Sequence, residues 1–148
     1  MENEKIKEIE RLFMEFIPLY HKKLSLIFRE DDEAEFRCHK NQKRAILLIH
    51  REKGVILSEL GRFLDMRKGS LTSLIDALVE NGLVERRDDK NDRRKTLLYL
   101  TETGHEYYQQ IMNQARKTYQ KLFSQLTDEE IEACKSGLEQ VVAVIKKL

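Results

Sequence analysis

The chain has 148 residues, 36% of them charged and 41% hydrophobic, with a formal net charge of +1. This length predicts one domain, with or without a dimerisation arm. The near-zero charge excludes a polycation, so any site for nucleic acid must be a local cluster of Lys and Arg. Two cysteines without paired spacing, a charged amino terminus and only short aliphatic runs argue against a disulfide framework, a signal peptide and a membrane span, and predict a cytoplasmic protein.

The first segment, residues 3 to about 29, is predicted to form a long amphipathic helix. Its main hydrophobic row alternates between spacings of three and four: Ile6, Ile9, Phe13, Phe16, Tyr20, Leu24 and Ile27. A second row repeats every seven residues: Leu12, Leu19 and Leu26. A hydrophobic stripe this wide indicates that the helix packs against a second surface, such as a partner subunit. The alternative is that all these residues belong to one intramolecular core. Pro18 is expected to kink the helix or end its first part.

An acidic link, residues 30 to 38, leads to two short predicted helices joined by an edge strand. The first helix covers 41 to 51 and turns four apolar residues inward: Ala45, Ile46, Leu47 and Ile49. It ends before Gly54, and the apolar run 55 to 57 is long enough only for a short strand. The second helix covers 58 to about 64, with three inward residues: Leu60, Phe63 and Leu64.

A third helix, Lys68 to Asn81, is followed by a basic hairpin. Its apolar residues lie at i, i+3, i+4 and i+7: Leu71, Leu74, Ile75 and Leu78. Gly82 suits the left-handed position after a helix, and strands 83 to 87 and 95 to 100 then form the hairpin. From Arg86 to Lys95 there are six basic residues against three aspartates.

Two helices complete the chain. Thr101 is predicted to cap the first, and Thr127 with Glu130 has the spacing of a capping box at the start of the second. Cys134 lies on the apolar stripe of the last helix and is predicted to be a core residue.

The order of elements predicts a fold class that is mainly α with a small β-hairpin wing. A winged helix-turn-helix lobe, 38–104, is expected within a single domain, 1–148. The helical dimerisation region is expected to comprise 1–37 and 105–148. No set of nucleophile, base and acid and no glycine-rich phosphate loop is visible, so the sequence does not predict an enzyme or a cofactor.

The chemistry of the central segment indicates DNA binding. A recognition helix needs an apolar anchor on one face and short polar or cationic side chains on the other, and the third helix offers both. Its candidate DNA contacts are Arg67, Lys68, Ser70, Thr72 and Ser73. A slim basic hairpin can enter the minor groove, where the potential is most negative. We expect Asp92 to hold Arg94 extended there by a charge-assisted pair, the alternative being a solvated surface turn.

These residues resemble the MarR family of transcription regulators. The matching positions include Glu59-Leu60, Leu74-Ile75-Asp76, Asn81-Gly82-Leu83-Val84, the wing signature Asp92-x-Arg94, and Leu100-Thr101-x-x-Gly104. The resemblance implies a homodimer built by the first and last helices, which binds a pseudo-palindromic operator of double-stranded DNA with half-sites about one turn apart. It also implies a repressor of nearby genes that a small ligand or a stress signal releases.

Three positions depart from the family pattern. Asp65 replaces a turn glycine, Arg67 replaces a serine cap, and Ile56 replaces a threonine that would complete a capping box with Glu59. The start of the recognition helix and its base contacts are therefore the least defined part of the resemblance.

Other candidate sites have weaker support. Cys38-His39 invites a metal or redox reading, but the remaining histidines lack metal-ligand spacing, so no metal is predicted. Several aromatic side chains could line a ligand cleft between arms and lobe, although packing is the commoner role: Tyr20, His21, Phe36, Tyr107 and Tyr108.

The predicted function is therefore a dimeric, sequence-specific regulator that binds double-stranded DNA, with a possible small-molecule effector and no membrane partner. The predicted DNA-binding residues are Arg67, Lys68, Ser70, Thr72, Ser73, Arg86, Lys90, Asp92 and Arg94. The alternative is a winged-helix module that binds protein and does not bind DNA.

Overall fold

The computed structural model describes residues 2–25 and 38–148. Helix α1 (Glu2–Leu19) continues into a π-helical turn (Tyr20–Leu24). The central elements are α2 (Lys40–Glu52), β1 (Val55–Ile56), α3 (Leu57–Leu64), α4 (Lys68–Glu80), β2 (Val84–Asp88) and β3 (Thr96–Leu100). The last two helices are α5 (Glu102–Phe123) and α6 (Asp128–Ile145). This confirms the predicted fold class, which is mainly α with a β-hairpin wing.

The core of the central lobe lies between α2, α3, α4 and a small sheet. The sheet is antiparallel in the order β1-β3-β2, with Val55 opposite Leu98 and Val84 opposite Leu100. The core side chains come from every element of the lobe, and they include Ile46, Ile49, Leu60, Ile75, Leu78, Leu83 and Leu98. Since all these elements share one core, α4 and the hairpin are held in a fixed relation to each other.

The inward position predicted for Phe63 is wrong. Phe63 is 46% exposed, and the Arg44 guanidinium carbon lies 5.5 Å from the centre of its ring. Arg44 also donates to the Phe63 carbonyl at 3.3 Å, so the Phe63 ring contacts a cation of the neighbouring helix at the surface of the lobe. On α2, Leu47 is partly buried and packs against the core, as predicted, and Leu48, which was not predicted, also belongs to the core.

Three predicted turn and cap positions are confirmed. Asp65 adopts the left-handed conformation at φ 52° and ψ 48°, which lets α3 end sharply before α4. The Thr101 hydroxyl accepts the amide N–H of Gly104 at 2.9 Å and caps α5. Thr127 and Glu130 form the reciprocal capping box at the start of α6.

The terminal helices expose apolar side chains. Pro18 lies at the end of α1, just before the helix changes from α to π geometry. The π-helical turn is bound to α5, because the Tyr119 hydroxyl donates to the Leu24 carbonyl at 3.0 Å. Large exposed hydrophobic residues lie on both helices: Ile6, Ile9, Leu12, Phe13, Phe16 and Ile17 on α1, and Ile131, Leu138, Val141, Val142 and Ile145 on α6. Cys134 is exposed, so the prediction that it is a core residue is wrong for the single chain.

Some predictions fall outside the described residues. They concern the acidic link, the end of the first helix with Leu26 and Ile27, and Phe36. Within the two described ranges, no helix combines the length and the hydropathy that a membrane span requires.

Candidate nucleic-acid interface

Helix α4 presents a polar face opposite a firmly held apolar one. Leu71, Ile75 and Leu78 are buried, and Ile75 is fully inaccessible. Arg67, at the N-cap position, has extended backbone and no side-chain cap, as its replacement of serine predicts. Together with the next residue, Lys68, it places two exposed cations at the start of α4. A partner with anionic groups would meet positive charge and the free amides of the helix start together.

The hydroxyls of α4 are turned toward their own helix. Thr72 Oγ1 donates to the Lys68 carbonyl at 2.9 Å, and Ser73 Oγ donates to the Gly69 carbonyl at 3.2 Å. In these rotamers the hydroxyl hydrogens are used, so the Thr72 and Ser73 oxygens can act only as acceptors toward a further group. Donation to a phosphate would require each hydroxyl to rotate. Ser70 is exposed on the same helix.

The tip of the wing, residues 88 to 95, is organised by its aspartates. Asp89 accepts the amide N–H of Asn91 at 2.8 Å and donates its own amide to the Lys95 carbonyl at 3.0 Å. The Asp92 carbonyl accepts the amide of Lys95 at 2.9 Å and closes a turn. These bonds fix the backbone of an otherwise exposed tip.

Asp92 also orients Arg94. Its Oδ1 atom accepts the backbone amide of Arg94 at 3.0 Å and the guanidinium Nε at 3.3 Å. The Arg94 side chain is nevertheless 92% exposed. The carboxylate therefore holds the backbone amide and the guanidinium Nε of Arg94 while the side chain stays exposed, and this is the charge-assisted pair that the sequence predicted.

Arg86 occupies a different position from the one expected of a direct contact. Its guanidinium donates to the Asp76 carboxylate of α4 at 2.5 Å and thereby joins β2 to α4. The next residue, Arg87, lies 4.4 Å from the ring centre of Tyr99. Sequence reasoning did not find the role of Asp76, because the pair is ten residues apart and the wing has to fold first.

A cleft of about 690 Å³ lies between α3, the start of α4 and the base of the wing. The described residues that line it include four cations, Arg62, Lys68, Arg94 and Lys95, against one carboxylate, Asp65. The cleft is thus a positive surface that connects the helix to the wing. Arg62 and Lys95 were missed as candidates, although their basic character beside the predicted helix pair and tip was a usable signal. Lys90 lies exposed at the tip itself.

The weaker candidates are dispersed. Tyr107 is buried in the core, where its side chain forms a hydrogen bond with Cys38. Burial raises the pKa of the Cys38 thiol, partly offset by that bond and by Lys43, so the thiol is held in its less reactive form. Tyr20 and His21 make an edge contact on the π-helical turn. In the described parts of the chain, no three His, Cys, Asp or Glu side chains converge to hold a metal ion.

Helix α4 with one buried face, the ordered basic wing and the positive cleft between them define a winged-helix protein. The MarR family model matches residues 40–96. The crystal structure of wild type MarR (apo form) from E. coli is 30% identical with a TM-score of 0.62, and the match covers 70% of this chain and 76% of that one. The chain belongs to the MarR family.

Two further similarities extend the comparison. A mutant MarR from E. coli, crystallised as a complex with operator DNA, is 28% identical with a TM-score of 0.62 over 88% of this chain and 97% of that one. The transcriptional repressor MprA of Escherichia coli (strain K12) is 36% identical over 84 residues, which cover 57% of this chain and 46% of that protein. The chain therefore aligns with about half the length of this curated relative.

Proposed function

We propose that this protein is a sequence-specific regulator of transcription that binds double-stranded DNA. Helix α4 enters the major groove, and Arg94 enters the adjacent minor groove. The observation that carries the proposal is the Asp92–Arg94 arrangement, because it extends an exposed guanidinium from an ordered tip. A surface turn that contacts only solvent would function without an oriented arginine. The narrow minor groove has a negative potential, and an arginine that is already oriented can enter it.

The individual residues have distinct proposed roles. Arg67, Lys68 and Lys90 bind phosphates or guanine edges, and Ser70, Thr72 and Ser73 contact bases or phosphates from α4. Asp92 positions Arg94. Arg86 positions the wing against α4 through Asp76, which is a supporting role instead of the direct contact expected from the sequence.

The proposed active form is a homodimer. The lobe, 38–104, binds DNA, and the regions 1–37 and 105–148 bring two lobes together within the single domain 1–148. Exposed apolar rows on both α1 and α6 support this assembly, since a second copy would remove them from water. Two lobes related by a two-fold axis fit a pseudo-palindromic operator with half-sites about 34–36 Å apart.

Repression of nearby genes is the proposed outcome of binding, with release by a small ligand or a stress signal. The support is that a relative is named as a transcriptional repressor and that a family structure contains operator DNA. The proposed protein is a binding protein, not an enzyme, and as a regulator it would act in the cytoplasm.

The salt dependence of DNA binding tests the proposal. Duplexes would be selected by the protein from a random-sequence pool, and the Kd of the best one measured by fluorescence anisotropy at several salt concentrations. We expect log K to fall steeply with log salt, by about 0.9 per phosphate neutralised. Arg94→Ala should weaken binding of the selected duplex by about 1–3 kcal/mol, while the neighbouring Arg93→Ala should mainly reduce the salt slope.

Two outcomes would contradict the proposal. If no duplex is enriched, or if binding is independent of salt, the protein-interaction alternative gains support. If Arg94→Ala binds with the affinity of the wild type, or loses no more affinity than Arg93→Ala, the minor-groove role of Arg94 is wrong. Size-exclusion chromatography with light scattering on each variant would establish that the dimer and the fold are intact.

A further inference from the structure

Two histidines far apart in the sequence meet where the lobe joins α5. His50 lies in the last turn of α2, and His105 lies in the first turn of α5. Their Nδ1 atoms are 3.3 Å apart, and the two rings meet edge to face with centres 5.4 Å apart. Sequence analysis found no signal for this pair, because 55 residues separate its members.

Tyr108 fixes the position of His50. The two rings are stacked with centres 3.6 Å apart and an angle of 12° between their planes. Tyr108 lies close to one helical turn after His105, so α5 supplies both a flat support and a hydrogen-bond partner for one imidazole of α2. Side-chain freedom at His50 is thereby reduced, and its Nδ1 atom is directed at its partner.

The contact requires at least one neutral imidazole. A hydrogen bond between two Nδ1 atoms needs a protonated nitrogen on one ring and a free lone pair on the other. When both rings are cations, both Nδ1 atoms carry protons and two like charges face each other at close range. The pair alone does not make a metal site, because zinc requires three or four protein ligands and no third ligand converges among the described residues.

We propose that His50 and His105 form a pH-sensitive clamp between the winged-helix lobe and α5, which is closed when at least one imidazole is neutral and opens when both are protonated. The clamp lies where the winged-helix lobe joins α5. Opening it would weaken the contact between α2 and α5, the helix that contributes Tyr107 and Ile111 to the core of the lobe, and would thereby loosen the angle between α5 and the lobe.

The surroundings of His50 oppose a second positive charge. The charged and titratable groups that act on it are His105 from α5 and Lys53 from the end of its own helix, with Tyr108 over its ring. Burial, and then these two neighbours, lower the pKa of His50 below its ordinary value of about 6.5. The folded chain therefore binds this proton more weakly than the unfolded chain does. The contribution of neutral His50 to the free energy of unfolding is therefore complete above about pH 6.5. It is lost as the pH falls through the lowered pKa of His50.

The functional consequence rests on the proposed function. In a dimer, the angle between lobe and α5 sets the spacing of the two recognition helices, and a fixed operator accepts only one spacing. Acidification would therefore weaken operator binding through the clamp.

The clamp itself is tested without DNA. Imidazole resonances would be followed by NMR between about pH 8 and about pH 5, the range in which histidine changes charge. In the wild type we expect the titration of His50 to depend on the presence of its partner imidazole. In His105→Gln, His50 should titrate alone with its pKa shifted upward, whereas His21→Gln, remote from the pair on the π-helical turn, should leave the titration of His50 unchanged. An unaltered titration of His50 in His105→Gln would overturn the clamp.

The coupling to DNA is tested separately. With a duplex selected at about pH 7.5, we expect the affinity of the wild type to fall roughly fivefold or more on acidification to about pH 5.5, the low end of typical coupling between sites. The fall should be clearly smaller in His105→Gln and in His50→Gln. Equal falls in the wild type and both variants would overturn the coupling. Failure to select any duplex would count against the proposed function, while the NMR result still decides the clamp.

Discussion

Replacing Asp92 distinguishes two effects that this residue could have on DNA binding: the positioning of Arg94 and the repulsion of phosphates by its negative charge. Removing an aspartate beside DNA phosphates reduces repulsion, so electrostatics alone predicts that Asp92→Ala binds more tightly. The structure predicts the opposite, because Asp92 Oδ1 accepts both the backbone amide and the Nε of Arg94. Asp88 is exposed near the end of β2 and provides the matched control, since Asp88→Ala removes the same charge from the same wing.

The expected magnitude follows from the two bonds. The exposed ion pair contributes about 0–1 kcal/mol and the amide bond about 0.5–1.5 kcal/mol, so the folding stability should change little. Once freed, Arg94 must be immobilised on binding, which costs about 0.5–1.5 kcal/mol, or roughly two- to tenfold in affinity. The salt slope should stay that of the wild type, because the cation is still present.

Fluorescence anisotropy with the selected duplex, at three or more salt concentrations, measures both quantities. Asp92→Ala should bind more weakly than the wild type, and Asp88→Ala as tightly or more tightly. Asp92→Asn, which keeps an acceptor oxygen without the charge, should lie between Asp92→Ala and the wild type. If Asp92→Ala and Asp88→Ala gain affinity alike, Asp92 does not position Arg94, and its presence in the tip needs another explanation.

Two predictions concern stability and assembly. A Cβ atom on Gly104 would collide with the Leu83 carbonyl, so Gly104→Ala should lower the free energy of unfolding, measured in urea, by about 1–3 kcal/mol. Gly69 has open space around it, so Gly69→Ala should be neutral or should stabilise the chain by up to about 1 kcal/mol. Equal effects of the two substitutions would contradict the close contact at Gly104. Deleting the residues after Thr127 removes α6 and should give monomers or insoluble chain, and a soluble, stable dimer by light scattering would refute the role of α6 in assembly.

Local patterns were sufficient to predict most of the fold. The apolar spacing of α4, the cap at Thr101, the capping box at Thr127 and the left-handed Asp65 all depend on residues within one turn of each other. Such short-range geometry is encoded where it occurs. The Asp92–Arg94 contact belongs to the same class, since its two residues are separated by one position.

The features that the sequence did not predict depend on distant contacts. Phe63 is exposed, and its contacts are with Arg44, nineteen residues earlier, whose guanidinium lies over the ring and donates to the Phe63 carbonyl. Arg86 meets Asp76 only after the wing has folded onto α4. The position of Cys134 on an apolar stripe of α6 shows a further limit: periodicity identifies a surface suited to burial, but one chain does not supply what buries it.

The junction below the wing restricts how any signal could reach the DNA-binding surface. The Thr101 hydroxyl donates to the Gly82 carbonyl at 2.5 Å, and the Thr101 amide donates to the Leu83 carbonyl at 3.1 Å. Gly104 then packs directly on Leu83. The end of α4, the start of the wing and the start of α5 are thus joined within a few residues. This junction is therefore the point about which α5 would turn when the His50–His105 clamp opens, and such a turn would change the spacing between the two lobes of the proposed dimer.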